Sequence, residues 1–189
     1  MANTNAPSGL QPFRHLTGGQ VRSNEYSIAS GYNTALYAGD VVEMTGTGKN
    51  VKQAAAGNVD NIGVFAGCRY VNELGEQKFS QYWPASTVAT EIVAYVYDDP
   101  NIVFQAQCNT LSAGDVGQLV DWEVAAGVPA IGKSATIVDV ATGTAAAGMA
   151  LRIVELKPEV TNEYGANAKA LVIFAEHALK TGAVGAGGS

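Results

Sequence analysis

The chain has 189 residues, of which 47% are hydrophobic and 15% are charged, and its formal net charge is −6. This length permits one full hydrophobic core or two small lobes that share an interface. Binding to DNA or RNA depends mainly on the neutralisation of phosphates by lysine and arginine. Because the 11 basic residues of this acidic chain are dispersed, the composition argues against nucleic acid as a partner.

Export and membrane insertion have no support in the sequence. The N-terminus lacks the basic start and apolar core of a signal peptide, and no apolar run approaches the roughly 20 residues of a membrane-spanning helix. We therefore expect a protein that is made in a cytoplasm and has no membrane partner. Cys68 and Cys108 lie in apolar, strand-like runs, which predicts two buried thiols rather than a disulfide.

Residues 1–24 are polar and contain several Gly, Pro and Asn residues, with no helical or strand period. Two interpretations fit this composition. The segment is either a disordered tail or an extended N-terminal arm that docks its few apolar side chains on another surface. In the second case, Leu10, Phe13 and His15 are the residues expected at the interface.

From residue 25 to about residue 180 the sequence predicts one β-rich domain. Short runs of β-branched and aromatic residues alternate with Gly-rich turns, which is typical of a small barrel or sandwich of antiparallel strands. We therefore expect an all-β fold. The predicted strands are 26–29, 32–34, 36–44, 51–55, 62–71, 79–83, 92–97, 102–108, 118–124, 135–140, 150–156 and 169–175.

Two other stretches stand apart from this pattern. A helix is plausible only at 141–149, where Gly143 and Gly148 weaken it. Residues 181–189 are predicted to be a flexible Gly/Ala tail without a role in the core.

The sequence Asp98-Asp99-Pro100-Asn101 separates the runs 92–97 and 102–108 and has the composition of a turn. The Asp99 side chain can accept a hydrogen bond from the backbone two residues on, and Pro100 fixes φ at the second position of a type I turn. Two strands joined by such a turn predict a β-hairpin.

The first strand of that hairpin is apolar on both faces. Tyr95 and Tyr97 lie on one face, and Ala94 and Val96 lie on the other. Such a strand is covered on both sides, either within the core or by a partner chain. If a partner covers it, Tyr95 and Tyr97 are interface residues, since Tyr is enriched at subunit contacts.

A short sequence occurs twice, 75 residues apart: Leu36-Tyr-Ala-Gly-Asp-Val41 matches Leu111-Ser-Ala-Gly-Asp-Val116 in five of six positions. Gly followed by Asp suits a tight turn that leads into a strand. Either a common turn was used twice, or the chain contains an internal duplication.

Residues 127–134, Gly-Val-Pro-Ala-Ile-Gly-Lys-Ser, match the phosphate-loop pattern G-x-x-x-x-G-K-[ST]. That loop binds phosphate because a helix begins at its lysine. Here the next six residues are mostly β-branched, and Gly143 follows before three helical turns could form. We therefore predict a Gly-rich hairpin loop rather than a nucleotide site.

No pattern indicates catalysis or a bound metal. The acidic pairs occur in predicted turns and strands, the two histidines lack neighbours at ligand spacing, and no nucleophile motif is present. We therefore expect no catalytic residue, no metal and no cofactor. This expectation applies to the acidic residues and histidines Asp98, Asp99, Asp121, Glu123, Glu155, His15 and His177.

The part of the chain from about residue 95 to 178 resembles the head decoration, or cement, proteins of tailed bacteriophages. The similarity lies in the order of its motifs, none of which is catalytic, and it covers nearly half of the chain. The motifs are the sequence 97–107, Gly132-Lys133-Ser134 with the following Asp139, Leu151-Arg152-Ile153-Val154, and Val172-Ile173-Phe174-Ala175-Glu176-His177.

This resemblance implies a β-rich protein, a homotrimer, bound in many copies to the capsid exterior of a virion. Its partners would be other copies of itself and the major capsid protein, at the points where major capsid subunits meet. A trimer that contacts several subunits at once would oppose the outward pressure of packed DNA. Avidity can exceed single-site affinity by ~10²–10⁴, so each contact can be modest.

Two non-enzymatic alternatives remain open from the sequence. One is a β-sandwich module that binds a small ligand or a glycan, and an exposed Trp83 or Trp122 beside carboxylates would favour it. The other is a tail or baseplate β-barrel subunit, which the sequence separates poorly from a decoration protein.

Overall fold

The computed structural model describes residues 3–142 and 149–180, and the regular secondary structure of these residues is antiparallel β-strand apart from two short 3-10 turns, Ala113–Asp115 and Val140–Thr142. The all-β fold expected from the sequence is confirmed. The strands are β1 (Gln11–His15), β2 (Asn24–Tyr26), β3 (Leu36–Tyr37), β4 (Val41–Met44), β5 (Val51–Gln53), β6 (Asn61–Val71), β7 (Gln77–Ser80), β8 (Tyr82–Trp83), β9 (Thr90–Tyr97), β10 (Ile102–Gln107), β11 (Thr110–Leu111), β12 (Leu119–Glu123), β13 (Ile137–Asp139), β14 (Leu151–Leu156), β15 (Gly165–Ala166) and β16 (Lys169–Phe174).

These strands form two large sheets and two small ones. The first large sheet has the order β2-β9-β6-β4-β5, with β7 also paired to β6, and the second has the order β1-β10-β16-β14-β12-β13. The small sheets pair β3 with β8 and β11 with β15. Of the two architectures that the sequence left open, the arrangement is sandwich-like, because both large sheets are open and do not close into a barrel.

The two halves of the chain, residues 24–97 and 102–174, repeat one connectivity. The strands β2, β9, β6, β4 and β5 of the first sheet correspond in order and pairing to β10, β16, β14, β12 and β13 of the second. The small pairs β3-β8 and β11-β15 correspond as well. We infer that the chain is an internal duplication, which the repeated hexapeptide alone left undecided.

The repeated hexapeptide builds the same turn in both halves. The backbone N–H of Tyr37 donates to the Asp40 carboxylate at 2.8 Å, and the N–H of Ser112 donates to the Asp115 carboxylate at 2.7 Å. In each half this turn leaves a short strand and leads toward the next strand of a large sheet. The Gly-Asp sequence is therefore a structural signature of the duplication.

The middle of the first sheet, formed by β4 and most of β6, is buried on both faces. Along β4 and β6, Val41 and Val64 pack into the core cluster of the second half, whereas Val42 and Phe65 pack into the cluster of the first half. Strands covered on both faces have nearly continuous apolar sequences, and this explains the run 61–71. The two halves are thus joined through a shared apolar layer.

The predicted hairpin of residues 92–108 is wrong, although its turn forms. Asp99 accepts from the backbone N–H of Asn101 at 2.8 Å, as expected. However, β9 pairs with β2 and β6, and β10 pairs with β1 and β16. The turn therefore carries the chain from one sheet to the other, because each strand finds a more extensive apolar partner in its own half.

The N-terminal segment docks on its own chain. β1 pairs with β10 and forms the edge of the second sheet, and Leu10 is completely buried in the core. The expectation that Leu10 lies at an interface is therefore wrong. Leu10 has few apolar neighbours in the sequence, but the pairing of the following strand, β1, with β10 places its side chain in the core.

Three further predictions concern the cysteines and the two outlying stretches. Cys68 and Cys108 are free and buried, as predicted, and burial raises the pKa of each thiol to about 12. Most of the helix predicted at 141–149 and all of the tail 181–189 lie outside the described residues.

Candidate interaction surface

Three connections of the sheets carry large apolar side chains that are exposed to solvent. The hairpin Arg69–Ser80, formed by the end of β6 and β7, exposes Leu74 (83%) and Phe79 (72%). The loop 128–133 exposes Val128 and Ile131, and the loop 157–164 exposes Val160 and Tyr164. We refer to these three segments together as the apolar loop set.

The three segments of the apolar loop set are rooted side by side. The backbone N–H of Ala38 donates both to the carbonyl of Gln81, next to the hairpin, and to the carbonyl of Gly132. Lys133 in turn lines the same cavity as Lys157, the first residue of the third segment. Their bases therefore form one continuous part of the surface.

Two of the segments are held in shape by asparagine side chains. The side-chain oxygen of Asn72, Oδ1, accepts from the backbone N–H groups of Leu74 at 3.1 Å and Glu76 at 2.9 Å. Asn162 donates to the carbonyls of Lys157 and Lys169 at 2.9 and 2.8 Å. The exposed apolar side chains thus sit on preorganised supports, which reduces the ordering entropy lost on binding.

The duplication relates these two asparagine-supported segments. The hairpin lies between β6 and β8, and the loop 157–164 lies between β14 and β15, which are the equivalent positions of the two halves. β7 is an addition that the second half lacks within the described residues. Both halves therefore present apolar side chains from the same place in the repeated fold.

The remaining interface residues expected from the sequence are only partly available. Phe13 is 42% exposed on β1. His15 is half-buried, and its Nε2 lies 2.9 Å from the Asp99 carboxylate. Tyr95 is half-buried, and Tyr97 packs against the core of the second half. Tyr97 is therefore covered by the core of its own chain. A strand that is apolar on both faces needs cover from either the core or a partner chain, and for Tyr97 the core supplies it.

The turn between the halves is a polar junction. The buried Asp98 carboxylate accepts from Asn24 at 2.8 Å and from the Tyr26 hydroxyl at 2.8 Å. Burial and the adjacent Asp98 raise the pKa of Tyr26 far above its usual value. Burial would raise the pKa of Asp99, but hydrogen bonds from Asn101 and His15 outweigh it and lower that pKa. These contacts connect β1 and β2 to the turn 98–101, which joins the two halves.

His177 is a buried titratable group near this junction. Its Nδ1 accepts from the backbone N–H of Leu179 at 3.1 Å, and its ring packs edge-on against Phe174. Burial lowers the pKa of His177 to about 4, although Asp98 partly opposes this and Lys180 reinforces it. The imidazole is therefore neutral at physiological pH.

We expect stability to fall on acidification because of His177. Its folded-state pKa lies below the unfolded value near 6.5, so the contribution is fully present above pH 6.5 and is lost as pH falls to 4. The shift corresponds to about 3 kcal/mol. Urea unfolding at pH 7 and pH 4 should show this loss in the natural protein and a smaller one in His177→Phe. Equal losses in the two proteins would contradict the assignment.

A second concave surface lies between the two halves. It is an open groove of about 690 Å³, lined by Tyr32 and Gln53 from the first half and by Asp121, Trp122 and Glu123 from the second. Burial raises the pKa of Asp121. Trp122 contributes to the lining but is 1% exposed, and Trp83 is completely buried. The exposed tryptophan that would favour glycan binding is therefore not present.

The phosphate-loop match does not build a phosphate loop. Val128 and Lys133 form an antiparallel bridge, and β13 rather than a helix follows Ser134. Ser134 is buried, and its hydroxyl accepts from the backbone N–H of Thr136 at 2.9 Å. The predicted hairpin loop agrees with this geometry.

The part of the chain that the structure describes contains neither a metal-binding cluster nor a membrane-spanning helix. No cluster of three or more His, Cys, Asp or Glu side chains with metal-binding geometry occurs in residues 3–142 and 149–180. The same residues contain no helix with the length and hydrophobicity required to span a membrane.

The sequence interpretation did not identify the apolar loop set. One signal was available: Leu74 and Val160 are apolar residues within polar turn sequences, where they cannot serve a core. Phe79 was instead assigned to a strand, which is correct, but alternation does not show that the strand lies outside the core.

Comparison with protein-family models, curated proteins and solved structures finds no match to this chain.

Proposed function

We propose that this protein is a non-enzymatic decoration protein that binds the outside of a phage head where major capsid subunits meet. The observation that carries the proposal is the apolar loop set: rigidly supported loops, rooted together, that expose Leu74, Phe79 and Val160. Isolated exposed apolar residues are common, but several of them on ordered loops whose bases adjoin are unusual and favour a protein-binding surface.

The chemistry of these loops suits attachment to protein. Within the hairpin, Lys78 and Glu76 form an ion pair at 2.8 Å, so these two charges compensate each other. The exposed apolar side chains are too few for the roughly 800 Å² per partner of a standard interface. Binding through several copies at once overcomes this limit, because avidity multiplies weak contacts. A homotrimer on a repeated shell fulfils that condition.

Light scattering and binding to decoration-free phage heads test the proposal. We expect the mass of a trimer, cosedimentation with the heads, and an increase in the temperature at which the decorated heads release their DNA. A stable monomer that leaves the heads unaltered would refute the proposal.

The groove between the halves supports one alternative, a module that binds a small ligand or glycan. Its volume of about 690 Å³ lies in the range of ligand sites. A glycan that raises the melting temperature of the protein, in the absence of any binding to heads, would favour this alternative.

A further inference from the structure

Three lysines from separate parts of the second half converge on one cavity. Lys133 ends the loop 128–133, Lys157 follows β14, and Lys169 begins β16, yet all three line a cavity of about 240 Å³. Only 11 of the 189 residues are basic. Like charges repel one another, so three lysines around one cavity are favourable only if an anion compensates them or if their ammonium groups stay far apart in water.

One acidic side chain compensates part of this charge. Glu159 lies 3.0 Å from the Lys157 ammonium and 3.5 Å from the Lys169 ammonium. Hydrogen bonding and charge from Lys157, with a further contribution from Lys169, lower the pKa of Glu159. Lys133 has no acidic partner among the described residues. The cavity therefore retains a net positive charge at neutral pH.

The cavity also offers neutral hydrogen-bond groups. Ser8 and Gln105 line it, and neither side chain has a hydrogen-bond partner within residues 3–142 and 149–180. Gln107 also lines the cavity, but its side chain is already engaged: it accepts from the backbone N–H of Ala6 at 2.8 Å and donates to Asn5 at 2.8 Å and to Asn167 at 3.3 Å. The N-terminal segment is thereby fixed as one wall of the cavity.

We propose that this cavity binds a single oxyanion group, a phosphate or a carboxylate, held by Lys133, Lys157 and Lys169 with Ser8 and Gln105. Lysine ammonium groups recognise such anions as point charges, and hydroxyl and amide donors add direction. The mode differs from a phosphate loop, since no helix begins at Lys133. The site depends on the folded second half and not on the function proposed above.

Isothermal titration with inorganic phosphate and, separately, with acetate tests this site at low ionic strength. We expect saturable binding of phosphate that is weakened at least tenfold in Lys133→Ala and abolished in the double variant Lys133→Ala and Lys157→Ala. Lys52→Ala is the matched control, because Lys52 is a surface lysine paired with Glu43 at 2.8 Å on the first sheet. It should bind phosphate as the natural protein does.

The two anions identify the source of the group. Binding of both indicates a site that also accepts an acidic side chain of a partner protein, whereas binding of phosphate alone indicates a phosphoryl ligand. All these lysines are at least partly exposed, so the variants should fold, and far-UV circular dichroism verifies this. Binding that is absent, or equally weak in all four proteins, would overturn the proposal.

Discussion

Replacement of Asp40 by alanine is expected to destabilise the protein by about 3–4 kcal/mol, because several buried donors lose their acceptor. The Asp40 carboxylate is 1% exposed and accepts from the backbone N–H of Tyr37 at 2.8 Å, from Gln53 at 3.3 Å and from Thr136 at 3.3 Å. Ser134 also donates to it. These partners come from both halves, so the loss affects the junction between them.

The duplication supplies a matched control for this experiment. Asp115 occupies the equivalent turn, but it is partly exposed and its bonds go only to Ser112 of the same turn. Asp115→Ala should therefore cost about 1 kcal/mol, as for the loss of a local cap. Thermal unfolding should separate the two variants, with decreases in Tm of roughly 10 °C and roughly 3 °C. If Asp40→Ala does not fold, Asp40→Asn retains one acceptor oxygen and permits the comparison. Equal decreases would contradict a bridging role for Asp40.

The double variant Leu74→Ser and Phe79→Ser is expected to lose binding to phage heads while keeping its stability. Both side chains are largely exposed on the hairpin Arg69–Ser80, so their replacement should change the free energy of unfolding by less than about 0.5 kcal/mol. Burial of these two side chains against a partner is worth roughly 2–3 kcal/mol, which corresponds to about 30- to 150-fold in affinity at each site.

Val88→Ser is the control for the hairpin variant. Val88 is also an exposed apolar residue of the first half, but it lies outside the apolar loop set. Cosedimentation with decoration-free heads, measured over a range of protein concentrations, should give weaker binding for the double variant alone. Undiminished binding of the double variant would remove the hairpin from the proposed contact, and a matching loss in Val88→Ser would show that the effect is not specific.

The strands were predictable from sequence because burial leaves a local pattern. The run 62–71 is apolar on both faces and forms β6, and the alternation in 102–108 indicates β10. The partners of the strands were not predictable. A turn such as Asp98-Asp99-Pro100-Asn101 has the same composition whether it joins a hairpin or two sheets, and only the contacts of distant residues such as Asn24 and His15 decide between them.

The interaction surface was harder to predict than the fold. Leu10 and Phe13 are three residues apart and both apolar, yet one is buried and the other is exposed, because the pairing of β1 with β10 determines which side faces the core. The three lysines of the cavity are separated by strands in the sequence, and no periodic pattern connects them. Of the three, only Lys133 belongs to a recognisable sequence motif, the phosphate-loop pattern, and the structure forms no phosphate loop there.

The pairing of the first strand with the tenth has a consequence during translation. Gln11 of β1 pairs with Gln105 of β10, and Ala6, just before β1, is bonded to Gln107, 101 residues away. At ~5–20 residues per second, the N-terminal segment is therefore synthesised roughly 5–20 seconds before its partner strand. During this interval the chain displays Leu10 and Phe13 without a sheet to receive them. The nascent first half must therefore remain soluble with its leading segment unpaired, and the second sheet is completed only after the crossover has been synthesised.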